Sequence, residues 1–256
     1  MPGRLQDKAA IITGAASGIG LGTAEVFAEE GARLVLVDRN AEGLEAAAAQ
    51  LQAKDAQAVT VAGDLAQAAT IERVVQTALA AYGQIDVVFN NAGIMPYGDL
   101  QTFTEALWDE VQAVNVKAMF LMCKAVIPHM LARGRGSIIN TSSVMATLTE
   151  PGYEAYTTSK AGVQGLTRAL AVSYAERGVR VNCICPGWVD TPMNRKVAEE
   201  AGGLDKLYPI IKQQQPQGRM ASTREVAYAV LFLASDEASA VTGSALYVDG
   251  ASSAAI

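Results

Sequence analysis

The sequence predicts a single-domain α/β protein, a doubly wound parallel sheet of seven strands with helices on both faces. Three observations predict it: apolar, β-branched runs recur along the chain, segments of helical spacing fall between them, and no linker interrupts the 256 residues. Length alone would admit two domains, but α/β folds of this size often form one unit. Half the residues are apolar and 18% are charged, a composition that can fill a sizeable core.

The elements follow in order. Strand-like runs occupy 9–13 (AAIIT), 33–37 (RLVLV), 58–62 (AVTVA), 85–89 (IDVVF), 136–140 (GSIIN), 179–184 (VRVNCI) and 245–248 (ALYV). They are continuously apolar rather than alternating, the pattern of strands covered on both faces. Helical spacing fills 18–30, 41–52, 67–82, 105–131, 154–177 and 224–234. Strand and helix alternating on this scale imply right-handed crossovers and a Rossmann-like sheet. The stretch 190–217 breaks the rhythm. It is rich in charge and Gln and follows the sixth strand, so it is either a lid over a site or a plain surface excursion.

The net charge of −6 argues against nucleic-acid or anionic-membrane surfaces, which need clustered Lys and Arg, and favours small-molecule chemistry. No apolar run approaches membrane-spanning length and no apolar leader precedes the first strand, so a cytoplasmic enzyme is the expectation. Cys123, Cys183 and Cys185 form no CxxC pair and read as buried thiols. No metal is expected. His129, the single histidine, lies in an apolar helical segment, so a Ser-His-Asp triad is disfavoured.

After the first strand comes TGAASGIG, with Gly14, Gly18 and Gly20 entering a helix. Such a turn brings backbone close to a pyrophosphate, and the helix N-terminus at Ser17, Gly18 and Ile19 offers N–H groups and partial positive charge. Gly20 would permit close helix-to-strand packing. The spacing is GxxxGxG, and a bare turn is the rival explanation. Asp38 closes the second strand, where a carboxylate accepts hydrogen bonds from ribose hydroxyls and repels a 2′-phosphate; NAD is therefore expected over NADP. Arg39 could pair with a 2′-phosphate, but beside Asp38 it is read as stacking on adenine or capping a helix. NNAG ends the fourth strand, placing Asn91, Ala92 and Gly93 at the carboxyl edge where open sheets bind ligands.

Tyr156 and Lys160 stand four apart in YTTSK, so on a helix they share one face. A phenol ordinarily titrates near ~10, and an adjacent ammonium is expected to lower that value. Alone the pattern is a common helical pairing of a solvated Lys with a half-buried Tyr. Upstream, the fifth strand leads into NTSS, and Ser143 could bond a reacting oxygen; serines also simply form turns there. Asn115 interrupts a helical run and asks for a partner or bound water.

On these motifs, taken in order, the chain resembles the short-chain dehydrogenase/reductase family along essentially its whole length. TGAASGIG is similar to the family's cofactor turn, Asp64 with Leu65 to its adenine-contacting pair, NNAG to its sheet-stabilising motif, and Asn115, Ser143, Tyr156 and Lys160 to its catalytic tetrad. The resemblance further implies cofactor contacts from Pro186, Gly187, Val189 and Thr191 in ICPGWVDTP, and a homotetramer. The ending VDGASSAAI departs from the family pattern and leaves any role of the C-terminus open.

The expected activity is NAD-dependent interconversion of a secondary alcohol and a ketone. Tyr156 exchanges the proton, Ser143 orients the oxygen, Lys160 holds the cofactor ribose and Asn115 connects Lys160 to solvent. Met95, Met145, Glu150, Tyr153, Trp188, Asn194 and Arg195 are the candidate substrate residues. With Glu154 and Lys196 they point to a polyol, sugar or sugar acid. An acyl-carrier-protein ketoreductase is the enzymatic alternative, and a non-catalytic dinucleotide sensor is the alternative of another class.

Overall fold

The computed structural model describes residues 3–200 and 202–255. The first half comprises β1 (Ala9–Thr13), α1 (Gly18–Glu29), β2 (Arg33–Asp38), α2 (Ala41–Gln52), β3 (Ala58–Ala62), α3 (Ala68–Tyr82) and β4 (Val87–Asn90). Then follow α4 (Glu105–Gln112), a π-wound turn (Ala113–Lys117), α5 (Ala118–Ala132), β5 (Gly136–Thr141), α6 (Glu154–Tyr174) and β6 (Val179–Pro186). The chain closes with α7 (Pro192–Glu200), α8 (Leu204–Gln214), α9 (Thr223–Ala234) and β7 (Ala245–Val248).

The seven strands form one parallel sheet in the order β3-β2-β1-β4-β5-β6-β7. The winding reverses between β1 and β4, and at such a switch point two successive connections leave in opposite directions and open a crevice at the strands' carboxyl ends. Every residue of β1 and β4 is buried. Alternation along β2 feeds both faces: Leu34 and Leu36 pack with Phe27 of α1, Leu44 of α2 and Val230 of α9, while Val35 and Val37 pack with Val74 of α3 and Met122 of α5. Removing each such side chain from water contributes about 1.5–3 kcal/mol, which fixes the sheet as a rigid platform for the loops at its edge.

The structure departs from the predicted boundaries for identifiable reasons. β4 begins at Val87, because the Asp86 carboxylate takes the Ala9 N–H (2.9 Å), a donor a continuing ladder would use. The predicted helix at 105–131 is broken by the π turn that carries Asn115. α6 ends at Tyr174 in a 3₁₀ turn, Ala175–Arg177, closed by Gly178 at φ 79°. The lid stretch folds into α7 and α8, separated at Gly202 and Gly203, whose φ values of 91° and 109° suit glycine. One expectation is corrected: the helical run Glu105–Ala132 is long and apolar enough, by length and composition, to cross a membrane. Its apolar side chains Met119, Met122, Val126 and Met130 are buried, and Met122, Val126 and Met130 pack in the core with Val35 and Val88 of the sheet, which is how a core helix passes that criterion. All three cysteines are buried, as expected.

Candidate active site

The crevice over the switch point is a cavity of about 660 Å³. At one end lies the glycine turn. Gly14 and Gly18 take φ values of 67° and 56°, and a Cβ on Gly20 would lie 2.0 Å from the Gly14 carbonyl oxygen, so helix and strand approach closely only because the residue is glycine. Ser17 caps α1 with its backbone, without a side-chain hydrogen bond, and no acidic residue occupies the first turn. The helix N-terminus therefore keeps its positive end toward the cavity, a setting that favours a pyrophosphate. Asp38 lines the cavity with its carboxylate fixed, accepting from Ala16 N (3.1 Å) and Asn40 N (2.9 Å). Arg39, Asp64 and Leu65 line the same end, and Asp64 is held by the Ala66 N–H (2.9 Å).

Thr13 welds the NNAG turn to β1. Its hydroxyl oxygen accepts from Asn91 N (2.8 Å) and Ala92 N (3.1 Å), while Asn91 Nδ2 donates to the Thr13 carbonyl (3.1 Å). Beneath it, Asn90 Nδ2 donates to Asn140 Oδ1 (2.9 Å) and Asn140 Nδ2 to Thr167 Oγ1 (3.0 Å), a buried chain from β4 through β5 to α6. Sequence reasoning gave neither Thr13, the first residue of TGAASGIG, nor Asn140 a role of its own; Asn140 looks like an ordinary strand residue until the register β4 to β5 pairs it with Asn90.

α6 brings Tyr156 and Lys160 to the cavity together, with the Lys160 ammonium 5.4 Å from the Tyr156 ring centre. Lys160 Nζ donates to the Thr141 carbonyl (2.8 Å) and Ser142 Oγ to the Lys160 carbonyl (2.9 Å), so the end of β5 fixes the helix. Ser143 lines the cavity beside Tyr156, its hydroxyl oxygen accepting from Met145 N (3.1 Å). Burial pushes the phenol up to about 12, against the lowering effect of Ser143, and burial pushes Lys160 down to about 8. The expected lowering of Tyr156 by Lys160 is therefore not seen in the protein alone: burial sets the direction for both groups, and Ser143, not Lys160, opposes it at the phenol.

Asn115 is fully buried beneath the site rather than lining it. Its amide accepts from Ile94 N (2.9 Å) and donates to the Ile94 carbonyl (2.9 Å) and Ser159 Oγ (3.0 Å). The side chain is thus a clamp between the segment after β4 and α6. A Cβ on Gly93 would come within 3.2 Å of its Oδ1 and 3.5 Å of Lys160 Nζ, so glycine there lets the chain pass over both.

Pro186, Gly187, Val189 and Thr191 line the cavity from the loop after β6, and Thr191 Cγ2 would be 3.4 Å from a Cβ on Gly18. Ile19 also lines it; Gly20 does not, its role being the packing described above. Among the candidate substrate residues, Met95, Met145, Glu150, Tyr153, Trp188 and Asn194 line the cavity. Arg195 does not, because its guanidinium is spent on Asp190 (2.7 and 3.0 Å) at the exposed surface. Asn194 Nδ2 donates to the Val189 carbonyl (2.8 Å), Lys196 faces Glu200 (3.9 Å), and Glu154 accepts from Gly152 N (3.3 Å). Sequence reasoning left unnamed Gln213 and Gln214 of α8, and Ser252 and Ala255 beyond β7, all of which reach the cavity.

A family model described as Enoyl-(Acyl carrier protein) reductase matches residues 14–252. The chain is 39% identical to the 3-oxoacyl-(acyl-carrier-protein) reductase of Thermotoga maritima, over 96% of this chain and 98% of that protein. It is 41% identical to the D-threitol dehydrogenase of Mycolicibacterium smegmatis, over 96% and 93% respectively. The crystal structure of levodione reductase superposes with a TM-score of 0.94 at 37% identity, covering 98% of this chain and 99% of that one.

Proposed function

The chain belongs to the short-chain dehydrogenase/reductase family, and we propose that within it the protein is an NAD-dependent dehydrogenase interconverting a secondary alcohol and a ketone, with a polyol or sugar as substrate. The observation that carries this reading is the continuity of one cavity from the glycine turn and Asp38 to Ser143, Tyr156 and Lys160. A dinucleotide needs a crevice that joins a pyrophosphate turn to the reacting groups, and the close-packed Gly14–Gly20 contact, the start of α1 without a side-chain cap and the fixed Asp38 carboxylate suit its pyrophosphate and ribose. Asp38 supports NAD, because a 2′-phosphate there would meet like charge.

When bound, the oxidised nicotinamide would supply the hydride acceptor and a positive ring that favours the phenolate. Tyr156 takes the hydroxyl proton as its phenolate, or returns one in the reverse direction. Ser143 hydrogen-bonds the same oxygen and holds it against Tyr156. Lys160, buried on the Thr141 carbonyl, places its ammonium beside the phenol and the ribose site. Asn115 keeps the Ile94 backbone and α6 in register so that these groups meet.

The identity to a D-threitol dehydrogenase supports a polyol. Arg195 and Lys196, the cations offered for a sugar acid, face carboxylates outside the cavity. Similarity to a 3-oxoacyl-(acyl-carrier-protein) reductase makes that activity the second arm of any assay. The test is purified protein with NAD and NADP separately against polyols, sugar acids and 3-hydroxyacyl thioesters, followed by nicotinamide absorbance. NAD-linked turnover of a polyol is expected, falling roughly a hundred- to ten-thousand-fold in Tyr156→Phe; full turnover by that variant, or activity with NADP alone, would overturn the assignment.

A further inference from the structure

Two side chains at the far end of the cavity are tied together across its mouth. Gln214, at the end of α8, accepts from the Trp188 indole N–H (2.8 Å) through Oε1 and donates through Nε2 to the Glu150 carboxylate. Glu150 stands on the loop before α6, Trp188 on the loop after β6, and both line the cavity with Gln214. The three therefore join the two walls that flank Tyr156.

Charge makes this juncture selective. Among the described residues, the charged side chains lining the cavity are Asp38, Arg39, Asp64, Glu150 and Lys160. The first three stand at or just beyond the carboxyl ends of β2 and β3, on the other side of the switch point. Lys160 is 2% exposed and points its ammonium at the Thr141 carbonyl. Glu150 is thus the charge a substrate meets at the mouth, and the first cations after Trp188 in sequence, Arg195 and Lys196, are engaged by Asp190 and Glu200. Tyr153 lines the same wall as Glu150, and burial, and after it the Glu150 carboxylate, pushes its phenol up.

We propose that Glu150 and Gln214 form a subsite for an uncharged polyhydroxy substrate, binding a second hydroxyl beside the reacting carbinol and rejecting compounds that carry an anionic group. This rests on the dehydrogenase reading above. A neutral hydroxyl donates to Glu150 in a charge-assisted hydrogen bond, while a neighbouring hydroxyl oxygen accepts from the Gln214 amide. A carboxylate or phosphate in the same position could still accept from the Gln214 amide but would face the Glu150 carboxylate, and that repulsion at about 4 Å near a surface is worth roughly tenfold or more in affinity.

The experiment compares a four-carbon polyol, its terminal carboxylic acid, a simple four-carbon secondary alcohol and a four-carbon amino alcohol on the wild type, Glu150→Gln and Glu150→Lys. Both kcat/KM with the nicotinamide dinucleotide and calorimetric binding are measured. The wild type is expected to favour the polyol over the acid and over the simple alcohol by about tenfold. In Glu150→Gln the polyol-to-acid ratio should fall towards unity, and in Glu150→Lys it should invert. A wild type that favours the acid or the amino alcohol, or ratios unmoved by both substitutions, would overturn the subsite. Calorimetric preference for the polyol that Glu150→Gln abolishes, without turnover of any compound, would uphold the subsite and overturn the dehydrogenase reading instead.

Discussion

At the residue scale, the buried pair Tyr156 and Lys160 sets a pH signature that does not depend on substrate. Folded Lys160 holds its proton only to about pH 8, whereas the unfolded chain holds it to the ordinary lysine value of 10.5. Between these values unfolding takes up a proton, so stability rises with pH through that window; below pH 8 the cost of burying the ammonium is present in full. Tyr156 acts in the opposite sense, but only above about 10, where the unfolded phenol ionises while the folded one, raised to about 12, does not. Denaturant unfolding of the wild type from pH 7 to 9.5 should therefore show a rise that Lys160→Met lacks. An equal slope in both proteins would mean that Lys160 titrates normally. Neither the raised phenol nor the lowered amine was legible in YTTSK, since the spacing reveals a shared helix face and not the depth at which that face is buried.

At the element scale, the π turn at Ala113–Lys117 is the device that seats Asn115 under the cavity. Its side chain makes three hydrogen bonds at 2.9–3.0 Å, two of them to the backbone of Ile94 in the segment that continues NNAG. Replacing Asn115 with Ala leaves a partly buried N–H and carbonyl of Ile94 without their partners, each costing up to about 1–3 kcal/mol. The expected result is a lowered denaturant midpoint together with reduced kcat, because the NNAG turn and α6 lose their common anchor. A variant that retains full stability while losing kcat would instead assign Asn115 to proton transfer alone. The helical run around Asn115 was legible from its periodicity, but the π turn was not. A polar residue at a core position signals only that a partner is needed, and the partner here is backbone twenty-one residues earlier. The glycine turn was legible because Gly14, Gly18 and Gly20 are constrained locally, by sign of φ and by a 2.0 Å approach that no other residue tolerates.

At the scale of the whole molecule, the seven strands were legible because parallel strands covered on both faces must be apolar throughout, and each run in the sequence matches a strand of the sheet. The lid residues were less so: Gln214 and Arg195 are both polar residues in a polar stretch, and only the fold aims one into the cavity and the other at Asp190. The homotetramer implied by the family resemblance needs a face for a second copy. The outer face of α6 carries Gly162, Gly165, Ala169 and Val172; Val172 is 85% exposed, and nothing lies within 4 Å of a Cβ built on Gly165. Phe120 of α5 is 46% exposed as well. Small residues let two helix backbones approach closely, and a two-fold axis would set the same face of a second copy against this one, burying Val172 in each. Light scattering on the purified protein should then give a mass that is a multiple of 26.8 kDa. Val172→Glu, which would place two carboxylates across the axis, should shift that mass downward, while the platform for Tyr156 on the inner face of α6 stays folded. A 26.8 kDa species in the wild type would remove the case for self-association and leave the α6 face simply solvated.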